Sequence, residues 1–190
     1  YINPGNPEAA AEMAYNDARI SHVKNGIYGE MFASAMIACA AVTDSIDDII
    51  LGGLAEIPST SRLYEAVMKI FDCYKNGVTL DEVSDIIHSA YDEHTDHGWC
   101  HTISNAIVVS ISLLYGEGDF TKSICTAVEA GFDTDCNGAT VGSILGMANG
   151  IGSIPEYWTN PLNDTLHTTI FGVNTVKISD RIEKTLEHIK

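Results

Sequence analysis

The sequence predicts an all-α fold, on three observations. Apolar residues recur at helical spacing almost throughout, residues that cap or stop helices punctuate the repeats, and convincing apolar–polar alternation is missing. About nine helices follow in order. Pro7 stands where a helix begins, and Glu8–His22 carries Ala, Met and Ile on a repeating face before Asn25-Gly26 interrupts it. A second helix runs from about Tyr28 to Val42, small or apolar at nearly every position, so burial on most sides is expected. Asp44 or Ser45 caps a third, toward Ile57-Pro58, and Thr60 or Ser61 opens a fourth that stops at Asn76-Gly77. Thr79-Leu80-Asp81-Glu82 is a capping box, in which hydroxyl and carboxylate satisfy each other's orphan amides, and it starts a helix through about Tyr91. After a polar loop, His101–Tyr115 is apolar and ends at Gly116-Glu117-Gly118. Asp119 caps Phe120–Ala130, a Gly/Ala-rich helix runs from about Asn137 to Asn149-Gly150, and Ile178–Ile189 is a final amphipathic helix. Only short pieces such as Thr168–Val176 are candidates for strand. No repeat or linker divides the 190 residues, so one domain is expected.

Charge narrows the partners. The chain has 26 acidic residues against 10 Lys and Arg, a formal net charge of −16. Such a surface repels phosphate backbones and anionic lipid heads, so neither nucleic acid nor a membrane surface is an expected partner. The apolar stretches Met31–Val42 and Ala106–Tyr115 fall short of the roughly 18 residues of a membrane span, and no basic leader precedes a hydrophobic run. Five scattered cysteines without a CxxC pair fit reduced thiols and a cytoplasmic location.

The segment Gly131-Phe132-Asp133-Thr134-Asp135-Cys136-Asn137-Gly138 carries the most chemistry. Two carboxylates at i and i+2, followed by an amide and a glycine, can aim hard oxygens at one Mg²⁺ or Ca²⁺ ion. The opening copies an EF-hand loop, but Ile144 stands where that loop requires a bidentate glutamate, which excludes an EF-hand. Two readings stand at this point. Asp133 and Asp135 contribute to a cation site, or Asp135 caps the following helix while Asp133 shapes the turn. The run Asp92–His101 holds three histidines and a cysteine, yet matches no structural zinc spacing and is read as a solvated loop.

Several stretches in this order resemble the ADP-ribosylglycohydrolases, relatives of the dinitrogenase-reductase-activating enzymes. Asp133-Thr134-Asp135-Cys136 with Ala139-Thr140-Val141-Gly142 is similar to that family's Asp-Thr-Asp-Thr metal motif and the Gly/Ala-rich helix behind it. Ser21-His22 ahead of Asn25-Gly26-Ile27-Tyr28-Gly29 resembles its Thr/Ser-His segment and tyrosine-bearing helix. His101-Thr102-Ile103-Ser104-Asn105-Ala106 and Trp158–Asp164 resemble further stretches of a bacterial branch. The resemblance implies a compact orthogonal helical bundle that binds two divalent cations, usually Mg²⁺ with Ca²⁺ or Mn²⁺ as substitutes. It also implies hydrolysis of the glycosidic bond joining ADP-ribose to a protein side chain or related conjugate. By carry-over, Asp133 and Asp135 are metal ligands, and His22, Tyr28 and His101 contact bound ADP-ribose. Cys136 occupies the place of a threonine ligand, where a soft thiol suits Mg²⁺ poorly. The family's catalytic glutamate and its Thr-Asp-Asp-Thr motif have no match here, and Tyr1-Ile2-Asn3-Pro4-Gly5 resembles the middle of such a protein. A C-terminal portion holding half a metal site, completed by a missing N-terminal segment, is therefore expected. The alternative is a relative that binds ADP-ribose without cleaving it, or keeps the fold alone.

Overall fold

The computed structural model describes residues 1–189, and the described residues are mostly helical. The elements are α1 (Pro7–Ala18), α2 (Asn25–Ala40), α3 (Ile46–Ala55), α4 (Arg62–Lys75), α5 (Leu80–Ala90), α6 (Thr102–Gly116), α7 (Phe120–Glu129) and α8 (Thr134–Asn149). A short α9 (Glu156–Thr159), strands β1 (Thr165–His167) and β2 (Thr175–Lys177), and α10 (Ile178–Leu186) follow. None of the helices is long and apolar enough to cross a membrane.

Side-chain capping sets most of the helix starts. Asn6 accepts from the Ala9 amide before Pro7, Ser61 from Tyr64, and Asp119 from Lys122. The third helix starts where Ser45 accepts from Asp48, with Asp47 and Asp48 in the favourable first turn. At α5 both halves of the expected capping box form: Thr79 Oγ1 accepts from the Glu82 amide, and Glu82 Oε2 accepts from the Thr79 amide at 2.9 Å.

The core gathers around α6, which packs on α2, α3, α4, α5, α7 and α8. Its Ile103, Ile107, Val108, Ile111, Leu113 and Leu114 are buried, and each such side chain contributes about 1.5–3 kcal/mol by leaving water. Three buried serines on this helix stay satisfied by bonding back to backbone carbonyls, Ser104 to His101, Ser110 to Ala106 and Ser112 to Val108. On α1, Ala10, Ala11, Ala14 and Ala18 form a thin stripe that lets α2 approach closely. Gly53 of α3 does the same for Phe32 and Met36, whose atoms lie 2.6–2.9 Å from where a Cβ would stand. Tyr115 donates to the Val78 carbonyl at 2.8 Å, tying the α4–α5 turn to the central helix.

Three expectations change. The last long helix starts at Thr134 and not at Asn137, because the Asn137 amide already donates to the Asp133 carbonyl at 2.9 Å. The strand expected over Thr168–Val176 is a hairpin: Thr165 pairs with Lys177 and His167 with Thr175, and most of the expected stretch is its turn. Gly172 and Asn174 there take φ of +78° and +53°, which turn the chain back. The first helix stops at Ala18, so His22 lies beyond it.

Candidate functional site

The loop between α7 and α8 is built on two consecutive left-handed residues, Gly131 at φ +79° and Phe132 at φ +59°. Left-handed backbone is unfavourable for a bulky residue and persists only where surrounding contacts over-determine it. Those contacts are present. Phe132 is buried and stacks on the His88 ring with centroids 5.2 Å apart, and its amide donates to Glu93 Oε2 at 2.7 Å. One amide side chain then fixes the next step. Asn105 Oδ1 accepts from the Asp133 amide at 3.1 Å and from Asn137 Nδ2 at 2.7 Å, while its own Nδ2 donates to the Trp99 and His101 carbonyls. Asn105 thus clamps the 91–101 loop, the central helix and the carboxylate loop together.

Held this way, Asp133 sits at the N-cap of α8 and Asp135 in its first turn. The Asp133 side chain makes no capping hydrogen bond, and Asp135, inside the helix, is not the cap. The alternative had Asp135 capping α8, which it does not do, and Asp133 shaping the turn, which its place at the N-cap fits. Among the described residues, one ligand atom from each of Asp133, Asp135 and Cys136 lies within 4.8 Å of the others, in the one cluster of at least three His, Cys, Asp or Glu that could hold a metal ion. Asp133 is half-buried, and Asp135 and Cys136 are exposed. Partial burial pushes the Cys136 thiol up from its ordinary value, and the charge of Asp133, a hydrogen bond to it and the charge of Asp135 push it further. A family model described as ADP-ribosylglycohydrolase matches residues 1–187.

The chain belongs to the ADP-ribosylglycohydrolase family.

Comparison with curated protein sequences and with solved structures returned no match. The remaining residues singled out in the sequence take different places. His101 caps α6, its Nδ1 accepting from the Ile103 amide, and it borders a cavity of about 640 Å³ between α4 and α5. Cys136 and Asn137 border a separate cavity of about 180 Å³ with Gly29, Thr102 and Asn105. The two cavities lie on different faces of the first turns of the central helix. His22 is exposed in the α1–α2 turn, with its ring packed beside Gly26 and its Nδ1 2.8 Å from Ser21 Oγ. Tyr28 is half-buried against the core. Neither lines the cavity beside Cys136. Glu30, near His22, is pushed up by partial burial and then by the neighbouring Asp17 carboxylate.

Sequence reasoning missed Glu93 and the clamp at Asn105. Glu93 sits in the run read as solvated loop, yet it reaches across 39 positions to the Phe132 amide. Nothing local to either residue signals that bond. Asn105 had one signal, its place in a stretch shared with the family.

Proposed function

We propose that this ADP-ribosylglycohydrolase is a metal-dependent hydrolase of the bond between ADP-ribose and a protein side chain, with Asp133 and Asp135 holding a divalent cation. The observation that carries this reading is the cluster of Asp133, Asp135 and Cys136 ligand atoms within 4.8 Å of one another at the start of α8, on a strained loop clamped by Glu93 and Asn105. Two carboxylates are hard oxygen donors and fit Mg²⁺, or Mn²⁺ or Ca²⁺ in its place. The thiol of Cys136 does not fit Mg²⁺, so the cation takes oxygen from Asp133 and Asp135, and Cys136 stays outside coordination. A cation at this position supplies Lewis acidity and orients ribose hydroxyls during an oxocarbenium-like cleavage.

The chain's own residues perform the positioning. Asn105 holds the Asp133 backbone, the buried Phe132 ring anchors the loop, and the α8 N-terminus favours the negative charge of both carboxylates and of an incoming pyrophosphate. His22, Tyr28 and His101 are proposed to contact the ADP-ribose. The chain is proposed to act in the cytoplasm, where ADP-ribosylated proteins are the partners and the cysteines stay reduced.

Titration calorimetry with ADP-ribose, in the presence and absence of Mg²⁺, tests the reading. Binding that requires Mg²⁺, and that weakens about tenfold or more in Asp135→Ala, is expected. Equal binding with and without the metal contradicts metal dependence. No binding in either condition favours a relative that keeps the fold alone.

A further inference from the structure

The three donors gathered at the start of α8 are not of one kind. Asp133 stands at the N-cap, and Asp135 and Cys136 follow in the first turn. Side chains at the N-cap and three residues beyond it meet over that turn, as Thr79 and Glu82 do at α5. At α8 the corresponding pair is a carboxylate and a thiol. Asp135 and Cys136 are exposed, so both side chains are free to turn, while Asn105 and the buried Phe132 ring fix the backbone beneath them.

Donor chemistry decides which cation uses all three. Mg²⁺ takes oxygen in a near-octahedral shell and leaves a thiol aside. Thiolate sulfur is a soft donor that selects Zn²⁺, and Zn²⁺ accepts sulfur and carboxylate oxygen together, at about 2.3 Å and about 2.0–2.2 Å. Donors on one tetrahedral ion then stand roughly 3.5 Å apart. The 4.8 Å that bounds this cluster is within reach of that spacing by side-chain rotation. Three protein donors with a fourth position open is also the ligand count of zinc sites that keep a place for water or substrate.

We infer that Cys136 is a metal ligand, and that the cluster of Asp133, Asp135 and Cys136 takes Zn²⁺ in preference to Mg²⁺. The thiol proton leaves to solvent as the metal–sulfur bond forms. The two cations compete for the same pair of carboxylates, and Cys136 decides between them. The assignment rests on the proposed reading that Asp133 and Asp135 hold a cation, and names which cation they hold most tightly.

A Co²⁺ titration of the reduced chain tests it, because a cobalt–thiolate bond gives a sulfur-to-metal charge-transfer band that oxygen ligands do not give. The band is expected in the wild-type chain. Cys136→Ser, a change at an exposed position, should abolish it while the helical circular dichroism stays in place. Micromolar Zn²⁺ should displace Mn²⁺ from the wild type, as followed by electron paramagnetic resonance. In Cys136→Ser the Zn²⁺ affinity should fall by about 100-fold or more, while the Mn²⁺ affinity stays within about threefold. A band that is missing, or that survives in Cys136→Ser, overturns the assignment and leaves the oxygen-bound cation of the proposed function standing. So does Zn²⁺ that binds without displacing Mn²⁺. Failure of Mn²⁺ and Co²⁺ alike to bind overturns both.

Discussion

Asn105 is the residue on which the geometry of the candidate site turns. A single side-chain oxygen takes hydrogen bonds from the Asp133 amide and from Asn137, and the same amide group holds two carbonyls of the preceding loop. Removing it takes the acceptor from two part-buried donors, the Asp133 amide and Asn137 Nδ2, and an unsatisfied polar group in such a setting costs about 1–3 kcal/mol. Asn105→Ala should therefore lower stability by about that amount in urea unfolding. It should also weaken divalent-cation binding about 10–100-fold, as removal of an outer-shell partner does. Loss of stability with unchanged cation affinity would show that the clamp serves the fold and not the site. The residues that form the cluster were readable in advance, because Asp133, Asp135 and Cys136 are adjacent and share one motif. Glu93 and Phe132 were not, because a left-handed phenylalanine held by a distant carboxylate leaves no trace in local spacing.

At the level of elements, the capping box of α5 shows what local chemistry settles. Thr79 and Glu82 bond reciprocally as their spacing predicts, and the Glu82 carboxyl is held below its ordinary value by the Thr79 amide and then by the Thr79 hydroxyl. A carboxylate depressed in the folded state contributes stability that is present above its unfolded pKa and lost as pH falls through the folded value. Glu82→Gln should melt at a lower temperature than wild type near about pH 7, and the difference should close as pH falls through the lowered folded value of the Glu82 carboxyl, below which both side chains are neutral. A constant difference across that range would detach the carboxylate charge from the cap. Helix ends marked by such groups, at Ser45, Ser61 and Asp119, were readable for the same reason. The start of α8 was not: Asp133 enters the helix through its carbonyl while its side chain stays out of the cap. The hairpin was not readable, since Ile170, Phe171 and Val173 in its turn have the residue types of a strand and its paired strands are only three residues each.

For the whole molecule, the formal charge of −16 and the favoured anionic ligand pull in opposite directions. The fold reconciles them locally. An all-α core built around one apolar helix places two of its many carboxylates at the N-terminus of α8, where the helix dipole favours negative charge and a cation can be shared with a pyrophosphate. The remaining carboxylates disfavour other anions, so on the proposed function a metal-bound ligand is taken up at that one end of the molecule. On the proposed function Asp133 and Asp135 are cation ligands. The most direct measurement is a Mn²⁺ titration followed by electron paramagnetic resonance, comparing the chain with its Asp133→Asn, Asp135→Asn double variant. The account predicts a population of protein-bound Mn²⁺ that the double variant loses; equal Mn²⁺ binding by both proteins would contradict it.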